Sequence, residues 1–327
     1  MKKELLMLLV VLLLAIVTAA CGSKDSSEPA ATTNEETTGN TEEKATEEPK
    51  ELTFTHKLGE TTLKTNPEKV VVFDFGILDS LDKLGIEVTG VPQANIPSYL
   101  EKYEDAKYEN VGGLKEPDFE KIASIGPDLI IISARQADMY EELSEIAPTM
   151  YFDIDYANYM ESFAANMNIL GEIYQKEDEV AAELAAINEM VAPVKEKASA
   201  TGETALVVLA NAGNISAYGP GSRFGIVHDE LGFAPADADI EVSTHGQNVS
   251  FEYILEKNPD YLFVIDRDAA VGTESSAKQT IENDLVKKTN AYKNGNIIYL
   301  DPNYWYLSGG GLISVSEMAK AIESTVQ

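Results

Sequence analysis

From Glu51 onward, short apolar runs alternate with apolar residues at helical spacing. We expect buried strands at 70–73, 86–90, 129–133 and 150–152, after a small hairpin formed by 52–55 and 61–64. Helices are predicted through Leu78, Leu81 and Leu84 up to Gly85, and near 118–125 and 136–146. This order of strand and helix is typical of a parallel sheet covered by helices.

A long stretch rich in Ala, Glu and Met interrupts this pattern between about 159 and 198. It predicts one helix up to Tyr174 and a longer one from Glu177 to Ala198, which could bend at Pro193. The strand pattern then restarts, with strands at 205–209, 215–218, 261–265 and 297–300 and helices near 223–231, 250–257, 276–288 and 313–325. We therefore predict an α/β protein with an N-terminal lobe at 51–157, connecting helices at 158–200 and a C-terminal lobe at 201–327.

One segment occurs in two related versions, FEKIASIGPDLIIISAR at 119–135 and FEYILEKNPDYLFVIDR at 251–267. Both predict a helix, a turn and a buried strand, once in each half of the chain, which suggests two lobes of similar build. Pro-Asp before a buried strand is also common in unrelated α/β proteins, so the shared letters alone leave both explanations open. Each version ends in an arginine just after a strand, where open α/β sheets present loops that contact ligands.

Charge is distributed unevenly along this chain of 327 residues. It has 55 Asp and Glu against 25 Lys and Arg, a formal charge of −30, which disfavours binding to nucleic acids or anionic lipid surfaces. Only three of the basic residues are arginine: Arg135, Arg223 and Arg267. Because a guanidinium group is a rigid donor that stays charged when buried, we expect all three to serve recognition of an anion.

The N-terminus has the features of an export signal. Lys2 and Lys3 precede the apolar run Leu5–Val17, which is too short to span a membrane comfortably. The segment before Cys21, the single cysteine, resembles a bacterial lipobox, although an ordinary cleaved signal with an incidental cysteine is the alternative. We predict a signal peptide at 1–20 and a lipidated Cys21 on a disordered acidic tether at 21–50. The protein would then be extracytoplasmic, held at the outer face of the cell membrane by its lipid anchor only.

Signatures of enzymes are missing from the sequence. It contains no G-x-S-x-G, no second cysteine, and only three scattered histidines, of which His245 lies in the polar loop STHGQ. A lone histidine is more often structural or solvated than functional. The Gly-rich turn GPGSRFG at 219–225 lacks the spacing of a phosphate loop, but its N–H groups beside Arg223 could favour an anion; an ordinary connection is the alternative.

Aromatic residues cluster in YLDPNYWYLSGGGL at 299–312, after a predicted strand. Tyr304, Trp305 and Tyr306 could be core residues, but the flanking Gly and Asp favour a rim that faces a ligand. Together with the three arginines and His245, they predict a site that binds something anionic and aromatic, without catalysis.

The chain resembles the siderophore-binding lipoproteins of bacterial iron-uptake ABC transporters. The similarity lies in the lipobox, the two related segments and the runs SRFGIVHDELGFAPAD, THGQ and YWYLSGGG, which resemble the ferric-catecholate, petrobactin-type receptors of Gram-positive bacteria. This resemblance implies the class III fold of substrate-binding proteins, with two Rossmann-like lobes. It also implies a monomer without a permanent cofactor, which captures an Fe(III)–siderophore complex and delivers it to an ABC permease.

The resemblance also implies roles for particular residues. Arg135, Arg223 and Arg267 would face the catecholate oxygens of the ferric complex. His245 and Tyr306 would bind the iron directly only if the siderophore is tetradentate. Glu120 and Glu252 would dock onto the permease, although two solvated glutamates on helix faces would look the same in sequence.

Two other classes of function stay open. A receptor of the same fold could take haem, cobalamin or a hydroxamate siderophore; haem would call for a more apolar cleft, and hydroxamate complexes for fewer arginines. The chain could also be a lipid-anchored enzyme or adhesin, although the missing catalytic constellation counts against an enzyme.

Overall fold

The computed structural model describes residues 49–273 and 277–326. The predicted signal peptide, Cys21 and nearly all of the tether lie outside the described residues. Among the helices in the described part of the chain, none is long and apolar enough to cross a membrane.

The predicted strands and helices occur in the predicted order, together with several short elements that the sequence pattern did not indicate. The strands are Glu51–His56 (β1), Gly59–Lys64 (β2), Val70–Val72 (β3), Gly90–Val91 (β4), Glu109–Asn110 (β5), Leu129–Ile132 (β6), Thr149–Tyr151 (β7), Thr204–Asn211 (β8), Asn214–Tyr218 (β9), Ala234–Pro235 (β10), Gln247–Val249 (β11), Tyr261–Asp266 (β12) and Ile297–Leu300 (β13). The α-helices are Phe75–Lys83 (α1), Phe119–Ile125 (α2), Tyr140–Ser144 (α3), Tyr159–Tyr174 (α4), Glu177–Thr201 (α5), Ile226–Asp229 (α6), Phe251–Lys257 (α7), Arg267–Ala270 (α8), Ala277–Ile281 (α9), Asn290–Asn294 (α10) and Leu312–Glu323 (α11). Short 3₁₀ turns lie at Ser98–Glu104, Ala134–Met139, Tyr156–Asn158 and Val286–Lys288, and a π-helical turn at Asn303–Leu307.

Each lobe contains one sheet. In the N-terminal lobe the order is β5-β4-β3-β6-β7 and every pair is parallel. In the C-terminal lobe the order is β11-β9-β8-β12-β13. Strands β8, β12 and β13 are parallel to one another, and β9 is antiparallel to both of its neighbours, β8 and β11. The short strand β10 pairs with β8 in parallel. Strands β1 and β2 form a separate antiparallel hairpin. The predicted fold class, two α/β lobes with mostly parallel sheets, is confirmed.

The two long helices α4 and α5 join the lobes and pack against each other. α5 continues through Pro193 to Thr201. The last helix, α11, packs against both α5 and α1, so the end of the chain is in contact with the N-terminal lobe as well.

Several predicted bounds are wrong for local reasons. The strand expected at 86–90 is limited to Gly90–Val91, because Ile86 still donates its N–H to Leu81 at the end of α1. The helix expected at 276–288 is broken, since the side chain of Asn283 accepts the N–H groups of Leu285 and Val286. The helix expected at 136–146 is divided into a 3₁₀ turn and α3, with Met139 in a non-helical conformation between them. The helix expected at 223–231 is shortened to Ile226–Asp229.

The two related segments adopt the same structure. Asp118 and Ser250 cap the helices by accepting the N–H of Lys121 and Tyr253. Both helices then end at a residue in the left-handed conformation, Gly126 with φ 59° and Asn258 with φ 44°, the two residue types that tolerate it best. A buried strand follows in each case, so the predicted helix–turn–strand unit is confirmed in both lobes.

A buried carboxylate links α1 to α11. Asp79 is fully buried, and its oxygens accept hydrogen bonds from the N–H groups of Ile313 (3.2 Å) and Ser314 (3.0 Å) and from the hydroxyl of Tyr99 (2.9 Å). The carboxyl group of Asp79 therefore lies at the N-terminal end of α11, where the helix dipole favours a negative charge. Burial nevertheless raises the pKa of Asp79 to about 7, because desolvation outweighs the hydrogen bonds.

This raised pKa predicts a pH-dependent stability. An unfolded Asp ionises near pH 4, so between about pH 4 and about pH 7 the folded protein holds a proton that the unfolded chain has lost, and stability falls as pH rises. Relative to Asp79→Asn, which cannot titrate, the wild type should lose up to about 1.4 kcal/mol of unfolding free energy per pH unit in this window. Urea denaturation of both proteins at about pH 5 and about pH 7 measures the effect; a difference that stays constant would contradict it.

Candidate functional site

A cleft of about 550 Å³ lies at the carboxyl ends of the strands. Segments from both lobes line it, because the loops after β3, β6 and β7 meet the loops after β9 and β13. Ligands bind at this edge of open α/β sheets. The lining includes Asp74, Lys115, Arg135, Tyr156, Tyr159, Asn166, Arg223, His245, Trp305, Tyr306 and Gly309.

The three arginines converge on Tyr306. Nη2 of Arg135 donates to the main-chain carbonyl of Tyr306 at 3.0 Å, and Nη2 of Arg223 donates to the same oxygen at 2.6 Å. Nε of Arg267 donates to the Tyr306 hydroxyl at 3.0 Å, and its Nη1 donates to Oδ1 of Asn211 at 3.0 Å. The guanidinium carbon of Arg223 also lies 4.5 Å from the centre of the Tyr306 ring. One residue therefore connects arginines of both lobes.

The arginines hold these positions because each follows a strand. Arg135 lies in the 3₁₀ turn after β6, Arg223 in the turn after β9, and Arg267 is the first residue of α8 after β12. Arg135 and Arg223 line the cleft, whereas Arg267 is absent from its wall and contacts the phenol of Tyr306 instead. That all three face the ligand directly stays a prediction; the structure places Arg135 and Arg223 in the wall of the cleft and Arg267 behind Tyr306.

Electrostatics in the cleft favour an anion. Burial lowers the pKa of Arg135, and the positive charge of Arg223 lowers it further, so the two guanidinium groups repel each other in the cleft. Burial alone would raise the pKa of Tyr306, but the hydrogen bond from Arg267 and the charges of Arg223, Arg267 and Arg135 hold it below its ordinary value. A negatively charged ligand would relieve the repulsion between the guanidinium groups.

The aromatic residues of the 299–312 segment separate into two groups. Trp305 is buried and Tyr306 half-buried, and both line the cleft from the π-helical turn. Tyr304 does not line the cleft: it is half-buried, and its ring packs on Tyr99 at 4.6 Å between centroids, against the edge of the core. The expectation that Tyr304 faces the ligand needs correction, because its ring is turned towards Tyr99 and away from the wall that Trp305 and Tyr306 form.

His245 lies at the rim of the cleft. It is exposed, in a loop with Val242, Ser243 and Thr244 that lines the cleft from the C-terminal lobe. Within residues 49–273 and 277–326, no cluster of three or more His, Cys, Asp or Glu could hold a metal ion.

Polar groups of the Gly-rich turn 219–225 form hydrogen bonds within the chain. The N–H of Gly221 donates to the carboxylate of Asp229 at 2.7 Å, and Ser222 donates its N–H and its hydroxyl to the carbonyl of Gly219. The N–H groups of Gly221 and Ser222 are therefore already occupied within the chain, Gly221 by the carboxylate of Asp229, and neither is available to a ligand in this structure.

Sequence reasoning missed several residues of the cleft. Lys115 and Asp74 follow β5 and β3, and Tyr159 and Asn166 come from the connecting helix α4. The position of Asp74 just after the predicted strand 70–73 could have indicated that it lies at the cleft; its side chain also caps α1. The approach of α4 to the cleft is a tertiary feature without a local signal.

Glu120 and Glu252 occupy matching places in the two related segments. Each is exposed in the first turn of its helix, α2 and α7. The geometry is equally compatible with solvated glutamates and with a docking surface, so their role stays a prediction.

Comparison with known proteins identifies the family. Residues 70–304 match the family described as periplasmic binding protein. The chain belongs to this family. It is 53% identical over 293 residues to the petrobactin-binding protein YclQ of Bacillus subtilis, covering 88% of this chain and 92% of that protein.

Solved structures agree with this assignment. The crystal structure of YclQ matches with a TM-score of 0.83 and 54% identity, covering 85% of this chain and 99% of the other. That of the periplasmic catecholate-siderophore-binding protein VctP of Vibrio cholerae matches with a TM-score of 0.80 and 39% identity, covering 84% and 100%. The resemblance drawn from the sequence is therefore confirmed, and so is the class III fold.

Proposed function

We propose that the protein captures a ferric catecholate siderophore of the petrobactin type between its lobes and delivers it to an ABC permease for iron uptake. The observation that carries this proposal is the pair of guanidinium groups, from Arg135 and Arg223, that converge in a cleft walled by Trp305 and Tyr306. Ferric catecholates are anionic and aromatic, so both features of the cleft match the ligand. The names of YclQ and VctP support the same ligand class.

The other ligands of this fold fit the cleft less well. Hydroxamate complexes carry less negative charge and need fewer cations than the cleft supplies. Haem would call for a more apolar cleft than one containing Asp74, Lys115, Arg135 and Arg223. We therefore place the catecholate ahead of haem, cobalamin and hydroxamates.

Direct iron ligation is conditional on the siderophore. A tetradentate ligand leaves two positions on Fe(III), for which the phenol of Tyr306 and the imidazole of His245 are the candidates. The lowered pKa of Tyr306 favours the phenolate form that iron requires. A hexadentate siderophore would leave no position for either residue.

We infer the cellular setting from the sequence and the family. The protein would act as a monomer, without catalysis and without a permanently bound cofactor. Lipidation of Cys21 would hold it at the outer face of the membrane. Removal of the lipid site by Cys21→Ala would release it into the medium with its ligand binding intact.

Glu120 and Glu252 are proposed to dock onto the permease, one from each lobe. Their exposure in equivalent helix turns is the supporting observation. The double variant Glu120→Ala, Glu252→Ala should keep its ligand affinity and lose most of its support of iron uptake by cells. Glu189→Ala, an exposed glutamate on α5, is the matched control. Undiminished uptake by the double variant would return both residues to ordinary surface positions.

Transport by cells tests the proposed function. Bacteria in which this chain is the sole siderophore receptor should take up labelled iron from a ferric catecholate and not from haem or a ferric hydroxamate. The reverse preference would contradict the proposal.

A further inference from the structure

Two tyrosine hydroxyls are buried without a hydrogen-bond partner in the described part of the chain: those of Tyr159 and Tyr174. Both belong to α4, at its first and last residues. Buried hydroxyls are normally paired, because an unpaired one loses its hydrogen bonds to water without replacement. Two such groups on one helix therefore need an explanation.

The surroundings of the two hydroxyls differ. Tyr159 is 2% exposed and lines the cleft, whereas Tyr174 is absent from the cleft wall. A Cβ built on Gly309 would stand 3.7 Å from the hydroxyl oxygen of Tyr159. Because Gly309 is exposed and also lines the cleft, no side chain at this position separates the cleft from the hydroxyl oxygen.

The protonation state of Tyr159 defines what it can bind. Burial, followed by the charges of Tyr156 and Asp79, raises the pKa of Tyr159, so the phenol stays protonated at neutral pH. A neutral phenol donates one hydrogen bond, and Arg223 on the same cleft already attracts anions. Its natural partner is an anionic oxygen.

We infer that the hydroxyl of Tyr159 donates a hydrogen bond to an anionic oxygen of the bound ferric siderophore complex, which makes Tyr159 a specificity-determining residue contributed by the connecting helix. This inference rests on the proposed function and extends it, since the arginines recognise charge whereas a single buried donor recognises the place of one oxygen. The unpaired hydroxyl is the cost of a site formed before its ligand arrives.

Removal of one oxygen atom tests the inference. Tyr159→Phe should weaken binding of ferric petrobactin about tenfold in calorimetric titration, as expected for one lost hydrogen bond to a charged acceptor. Its midpoint of thermal unfolding without ligand should stay unchanged or rise, because the variant no longer buries an unpaired hydroxyl. Tyr174→Phe is the matched control: its midpoint should move in the same direction, and its affinity should stay within about twofold of the wild type.

Each other outcome overturns the inference. An affinity of Tyr159→Phe equal to the wild type would mean that the ligand does not reach the hydroxyl. A lower midpoint without ligand would mean that the hydroxyl already has a partner, such as an enclosed water. An equal loss of affinity in Tyr174→Phe would make the effect a general one of α4. A wild-type chain that bound no ferric catecholate would overturn the proposed function and this inference with it, whereas the first three results leave the proposed function intact.

Discussion

Arg223→Ala should weaken the binding of a ferric catecholate by on the order of 2–5 kcal/mol, the cost of truncating one partner of a buried charge pair. The guanidinium of Arg223 lines the cleft, donates to the carbonyl of Tyr306 at 2.6 Å and lies over its ring. Its loss would remove a charge that faces the ligand and also one of the two hydrogen bonds to the main-chain carbonyl of Tyr306. Calorimetric titration of the variant measures the change.

Two further variants separate charge from geometry. Arg223→Lys keeps the charge without the planar fork, so it should recover part of the affinity and not all of it. Arg267→Ala should lose less than Arg223→Ala, because Arg267 contacts the Tyr306 hydroxyl and does not line the cleft. Affinity unchanged in Arg223→Ala would remove this arginine from the binding site.

Gly311→Ala should destabilise the protein by about 3 kcal/mol or more, among the largest effects of a single substitution. A Cβ at this position would overlap both Oδ1 of Asp79 and the carbonyl oxygen of Gly76. The backbone of Gly311, with φ −107° and ψ 165°, suits any residue, so the effect would come from packing alone. Chemical denaturation measures the loss.

Gly309→Ala is the matched control, two residues earlier. A Cβ there would meet its nearest neighbour, the carbonyl oxygen of Trp305, at 3.5 Å, an ordinary van der Waals distance. Its stability should change by less than about 1 kcal/mol. If Gly311→Ala were as stable as Gly309→Ala, the close packing of α1 against the start of α11 would not matter for the fold.

These predictions rest on one structural unit. The segment from Asn303 to Gly311 contains Tyr306 and leads directly into α11. In the first turn of α11, the N–H groups of Ile313 and Ser314 donate to the carboxylate of Asp79. Asp79 belongs to α1 of the N-terminal lobe, and Arg135 reaches the same segment from that lobe. The ligand-facing turn is therefore held from both lobes, and its position is fixed before a ligand binds.

Sequence patterns predicted the parts of this fold that depend on local chemistry. The two related segments were predicted well, since a capping Asp or Ser, a helix end at Gly or Asn and a run of buried apolar residues specify them locally. Arg135 and Arg267 were located by the same logic, because a residue after a parallel strand must lie at the ligand edge of the sheet.

The missed parts depend on contacts between distant residues. β5, β10 and β11 contain two or three residues each, so pairing with a neighbour defines them and no pattern of their own does. Asp79 and Tyr159 acquire their roles from α11 and from the cleft. A signal for Asp79 did exist: residues 75–81 of α1 are all buried, so a carboxylate there needs partners from elsewhere.

Fluorescence of Trp305 offers the most direct measurement of the central claim, that the cleft binds a ferric catecholate. Trp305 is the single tryptophan of the chain and is buried in the wall of the cleft. Titration with a panel of ferric catecholates, ferric hydroxamates, haem and cobalamin should quench its emission saturably with a catecholate at the lowest concentration. Absence of quenching by every catecholate, together with tight binding of haem or a hydroxamate, would contradict the account.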